Sequence, residues 1–191
     1  HVTLTYLLPD ASTVTQTIDV PATGRQTINV ETVDPKLTNT AVSTTITADA
    51  GIIVERSMYW PDISIGWREA HNSVGVTAPA LRWAVADGRI DGPRGYQTYV
   101  LLANPNTTPA EVLVRFLEAG QTPVTRTYQL KPTSRMNIAP ATDIPELGVG
   151  LFSVDVQVLN YQPIVVEKTL YWNSGAEVWA AGTGTVGTPI P

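Results

Sequence analysis

The chain of 191 residues contains no cysteine, so it has no disulfide framework, no cysteine-ligated zinc and no thiol nucleophile. Its two histidines, His1 and His71, stand at a terminus and in a Gly/Ser-containing loop, and neither builds a triad or a typical metal site without further partners. Charged residues make up only 15%, with 12 Lys plus Arg against 17 Asp plus Glu and a formal charge of −5. That mildly acidic balance argues against nucleic acid and anionic membrane surfaces, which recruit basic patches. No run approaches the roughly 20 apolar residues of a helical membrane span. The chain also starts at His1 without a charged-then-apolar leader, so a mature product or an excised fragment is expected. No segment resembles an EF-hand loop, and no metal or cofactor is expected.

What the chain does have is a repeat. Shifted by 110 positions, Val2, Leu4, Tyr6, Val14, Thr17, Arg25 and Ile28 fall on Val112, Val114, Phe116, Val124, Thr127, Arg135 and Ile138. Shifted by 112, residues 52–60 (IIVERSMYW) fall on 164–172 (IVVEKTLYW), and Trp67, Gly75 and Pro79 fall on Trp179, Gly187 and Pro191. The expected division is therefore an incomplete first copy, 1–80, and a complete second copy, 81–191, with nothing in the first corresponding to 81–111.

Short alternating runs broken by Pro, Gly, Asp and Asn, with no sustained helical period, predict an all-β chain. Strands are expected at 83–86, 96–103, 111–118, 124–130, 135–139, 151–159, 164–172 and 177–180, enough for one sandwich. In the first copy they are expected at 2–8, 14–20, 25–30, 41–48 and 52–60. Residues 96–102 are expected to pair with the strand at 112, and the change of offset near 49–51 and 159–163 is read as a difference in hairpin tips. Short helical turns are expected at 34–37 and 144–147. Residues 76–80 read as a short, semi-rigid connector.

These elements resemble a repeat of secreted and cell-surface bacterial proteins of undefined function, with the pattern W-x-x-A-E-G, L-L-x-N-P, S-R-x-T-I and E-R-x-M-Y-W. The matching residues are Trp83 to Gly88, Leu101 to Pro105, Arg25 to Ile28 with Ser134 to Ile138, and Glu55 to Trp60 with Glu167 to Trp172. Asp87 replaces the pattern's Glu, and the second copy has Lys168 and Leu170 where the first has Arg56 and Met58. The resemblance implies two tandem immunoglobulin-like β-sandwich domains, the first lacking its N-terminal strands, and an extracellular address. It implies no reaction.

Charges recurring inside apolar strands are paired or functional. Two equivalent ion pairs are expected, Glu55 with Arg25 and Glu167 with Arg135. A glycosidase needs a second carboxylate across a cleft, and Asp87, Asp91, Asp143, Asp155 and Glu177 show no spacing that forces one, so no enzyme is expected. Trp60, Trp67, Trp83, Trp172 and Trp179 read first as aromatic packing at the ends of the copies, and second as a sugar-binding platform. Asn106-Thr107-Thr108 matches the N-glycosylation acceptor pattern.

A first copy without its early strands leaves a bare sheet edge. Upstream residues of a longer array could cover it, residues 81–111 could serve it instead of the second copy, or a neighbouring molecule could donate a strand. The function expected is a non-catalytic structural segment of a cell-surface or filament-forming protein that associates head to tail. The alternative is a carbohydrate- or protein-binding module of a secreted enzyme.

Overall fold

A computed structural model describes residues 1–60, 66 and 69–191. Among them run fourteen strands: β1 Val2–Leu7, β2 Thr13–Ile18, β3 Ser43–Ala48, β4 Glu55–Trp60, β5 Glu69–Val74, β6 Arg82–Asp91, β7 Tyr96–Asn104, β8 Ala110–Leu117, β9 Val124–Leu130, β10 Ser134–Ile138, β11 Gly150–Val158, β12 Val165–Ser174, β13 Glu177–Val186 and β14 Thr188–Pro189. The one α-helical turn, α1, is Pro140–Asp143. The protein is all-β, as the alternating pattern predicts. No helix among the described residues is long and apolar enough to cross a membrane.

In the second copy two sheets face each other. One runs β9-β8-β11-β6 with β14 beyond β6, and the other runs β10-β7-β12-β13. They join at the tip of the β6–β7 hairpin, where Ile90 and Asp91 lie opposite Gln97 and Tyr96. The period of two turns Trp83, Val85, Val112, Val114, Phe116, Val154 and Val156 inward from one sheet, against Val100, Leu102 and Val166 from the other. The expected β7–β8 pairing is not formed: β8 lies between β9 and β11, while β7 lies between β10 and β12. Residues 159–164 likewise carry the chain from one sheet to the other and are not a hairpin tip. The local pattern sets which face is apolar but not which strand lies alongside.

β6 carries a bulge. Its register against β11 shifts between Phe152 and Val154, and Asp87 sits there at φ 57°. Gly88 is needed beside it, because a Cβ there would come within 2.5 Å of the Phe152 ring. The carbonyls freed by the bulge are taken by Lys168, whose Nζ donates to Ala86 O at 2.9 Å and Asp87 O at 2.8 Å from within the sandwich.

The first copy repeats half of this plan. β2-β1-β3 matches β9-β8-β11, and Pro35–Leu37 forms a 3-10 turn capped by the Asp34 side chain. Val2, Leu4 and Tyr6 face a small core with Leu8 and Leu37, closed by half-buried Val20, Ile28, Val30 and Val33. The Thr-x-Thr runs fall together on the other face, with Thr3 opposite Thr17 and Thr47, and Thr5 opposite Thr15 and Thr45. The strand expected at 25–30 is absent: without a counterpart of β7, residues 24–28 have no partner and stay irregular. β4 and β5 form a separate hairpin. The first copy is thus an open half, and its two sheets lack the hairpin that joins them in the second.

Candidate functional site

The informative place is the junction where β4 and β5 lie against β12 and β13. In the first copy's own plan the alternate residues Arg56 and Met58 would face a sandwich interior, as buried Lys168 and Leu170 do in sequence register. Here Arg56 and Trp60 meet the second copy instead. Arg56 Nη1 donates to Glu167 Oε2 at 3.0 Å. Trp60 Nε1 donates to Trp179 O at 2.8 Å, and its ring stands edge-on to Tyr171 with centroids 5.4 Å apart. Tyr171 stacks on Trp179 at 5.0 Å, and Trp179 Nε1 donates to Gln97 Oε1 at 3.1 Å. His71 of β5 fits over Gly184, where a Cβ would lie 2.5 Å from the imidazole.

Neither expected ion pair is formed. Glu167 pairs with Arg56 rather than Arg135, and Arg135 spends its guanidinium on Val42 O at 2.7 Å and on Asn137. Arg135 N also donates to Leu8 O at 3.4 Å, so this residue binds the first copy's sheet to the second copy. Burial pulls the Arg135 guanidinium down to about 10, with nearby Glu167 opposing and Arg56 adding to the shift. Glu55 and Arg25 are both exposed and form no ion pair with each other. Copy symmetry misled because the two environments are unequal: Arg135 sits on a strand beside β7, and Arg25 has no such strand beside it.

The tryptophans divide by role. Trp83 is buried to 1% exposure and donates from Nε1 to Ile164 O at 2.9 Å. Trp60 and Trp179 build the junction, and Trp172 lies near Tyr96 with centroids 6.0 Å apart. Trp67 lies outside the described residues. A residue that sequence reasoning passed over is Asn104 of the L-L-x-N-P motif. It is buried, donates to Thr108 O at 2.9 Å and Lys131 O at 2.9 Å, and accepts from Asn106 N at 3.0 Å. Its Asn-Pro setting, just after an apolar strand, was the available signal. Asn106 itself is committed to Asn104 and to Pro163 O at 2.9 Å, so its amide is not free for a glycan.

Surface hollows lie among the described residues. One of about 400 Å³ is lined by Leu8, Pro9, Asp10, Ser12, Lys36 and Thr40. Another, about 340 Å³, has Arg94, Trp172, Asn173 and Ser174 on its walls. Neither holds two carboxylates in opposition. No group of three or more His, Asp or Glu among the described residues could hold a metal.

The His71 ring nitrogens are buried without a hydrogen-bond partner. Burial first, then the Arg56 charge, hold the imidazole below its ordinary range, against smaller opposing effects of the Asn72 backbone and Glu167. A depressed base binds fewer protons docked than released, so docking is complete above pH about 6.5 and weakens as pH falls below it. The protection of the β5 amides, measured as exchange relative to the unstructured rate at each pH, should therefore fall between pH 7 and 5, and His71→Gln should flatten that dependence. Equal protection across this range in the unaltered chain would count against the assignment.

The described residues define an all-β protein whose second copy packs two sheets face to face. No protein-family model matches the chain, and no curated protein matches it. Among solved structures, the crystal structure of Thermotoga maritima 1070 is similar at a TM-score of 0.51 and 17% identity, over 60% of this chain and 97% of that one. The Anabaena sensory rhodopsin transducer is similar at a TM-score of 0.40 and 19% identity, over 49% of this chain and 91% of that one. At such identities the first likeness concerns the fold alone, and the second carries no argument.

Proposed function

We propose that the chain is a non-catalytic structural repeat, a segment or subunit of an extracellular cell-surface or filament-forming protein built from tandem immunoglobulin-like sandwiches. The observation that carries this reading is the tandem repetition of one plan, β2-β1-β3 in the first copy and β9-β8-β11 in the second. Repeats that share a plan and meet through side-chain clasps such as Arg56–Glu167 and Trp60–Trp179 form stacked arrays. Buried Trp83 and the junction residues Trp60 and Trp179 act as packing in this reading.

The test is light scattering of the isolated chain over a concentration series, with imaging of the same sample. Mass that rises with concentration, and filaments on the grid, are expected. A monomer at every concentration would overturn self-association.

The second reading is a carbohydrate-binding accessory module. The 340 Å³ hollow favours it, since Trp172, Arg94 and Asn173 combine an aromatic face with polar groups. Retention on an insoluble glycan, lost in Trp172→Ala, would favour this reading over the structural one.

A further inference from the structure

We propose that the hollow between the tips of the β6–β7 and β12–β13 hairpins binds an acidic sugar, a uronate unit of a polysaccharide. The proposal rests on the accessory-module reading and names the sugar class that its site takes.

The two tips are fastened to each other by the chain's own contacts. Asn173 N donates to Arg94 O at 2.7 Å, and Asn173 Oδ1 accepts from Trp179 N at 3.0 Å. The Asn173 amide also packs on Gly95, at φ 54°, where a Cβ would come within 2.6 Å of Nδ2. Trp172 is half-buried against Tyr96, with ring centroids 6.0 Å apart, and Arg89 lies over the Tyr96 ring at 5.1 Å. The indole thus lines a space of about 340 Å³ whose remaining lining includes the small residues Gly175, Ala180 and Ala181. A preformed space of this size, with one aromatic wall and a few polar groups, suits a sugar ring and its hydroxyls.

The charge of the wall decides which sugar. Arg94 is the only charged residue lining the hollow, is exposed, and has no ion-pair partner among the described residues. Arg56, Arg82, Arg89, Arg115 and Arg126, by contrast, each hold a carboxylate of this chain. Asp91 and Glu177 flank the two tips and do not line the space. A neutral sugar can stack on Trp172 and hydrogen-bond Ser174, but it leaves the guanidinium fork unused. A uronate adds a planar carboxylate that accepts two parallel N–H bonds from that fork. An amino sugar would bring a like charge to Arg94 and is disfavoured.

The test titrates the full chain with oligomers of galacturonate and of mannuronate, each as the free acid and as its neutral methyl ester, and follows the Trp172 and Asn173 side-chain resonances. At low salt the better-fitting acid should bind about tenfold more tightly than its ester, and added salt should shrink that preference. Arg94→Gln, at an exposed position, should erase the preference while leaving ester binding and the urea midpoint unchanged. Trp172→Ala should weaken binding of acid and ester alike. Acids and esters that bind equally would overturn the inference and leave the accessory-module reading standing. Binding of none of the four would also overturn it, and retention on insoluble glycans then decides the broader reading separately.

Discussion

Trp83→Ala is expected to lower the unfolding free energy of the second copy by about 4 kcal/mol, the usual cost of truncating a fully enclosed indole. The residue is 1% exposed, fills the space between the two sheets, and hydrogen-bonds Ala80 O at 3.3 Å as well as Ile164 O at 2.9 Å. The alanine therefore leaves a cavity and also strips partners from the bridge between Ala80 and Ile164 that fastens the connector onto the sandwich. With a urea dependence of about 2 kcal/mol per molar, the midpoint falls by about 2 M. Trp60→Ala supplies the contrast, since it removes an indole from the junction and not from the core: the urea midpoint of the second copy should stay in place while β5 amides exchange faster. Equal midpoint losses in the two variants would show that the junction and the sandwich unfold as one unit.

Lys168→Met is the second large effect, expected at about 2 kcal/mol, because it strips the part-buried Ala86 and Asp87 carbonyls of their ammonium donor. Methionine matches the chain's length and apolar stem, so the loss reports hydrogen bonding more than volume. Burial holds the Lys168 ammonium below its ordinary range, with Asp87 opposing and Arg89 adding to the shift. A depressed base binds fewer protons folded than unfolded, so its contribution grows as pH rises toward about 10.5. The difference between the unaltered chain and Lys168→Met should therefore widen over that interval, while the raised tyrosines Tyr128 and Tyr171 act equally in both proteins and cancel. A gap that stays constant with pH would mean that the amine is already as easily charged in the fold as in water.

Much of this architecture could be read from residues. The repeat was legible because its alternation survives in Val2, Leu4 and Tyr6 against Val112, Val114 and Phe116, and those positions are buried in both copies. The inventory of strands in the second copy followed from the same period. Neighbour choice did not follow: β7 and β8 are adjacent in sequence, and only the shared apolar space tells that they belong to different sheets. β5 was missed because Glu69, His71 and Ser73 form a polar alternation that reads as loop until Trp60 and Gly184 are placed against it. The ion pairs were inferred from equal positions, and equality of position fails when one copy lacks the neighbours of the other. The choice among remedies for the bare edge is also answered in part: residues 82–104 serve the second copy, and the edge left open belongs to β3 rather than β1.

The β6–β7 hairpin gives one strand to each sheet of the second copy, with β11 and β14 joined to its first strand and β10 and β12 to its second. It is also the earliest part of that copy in chain order. On a ribosome, where the chain emerges from its amino end, this shared spine is therefore available before any strand that must dock on it, and each later strand finds a template already outside.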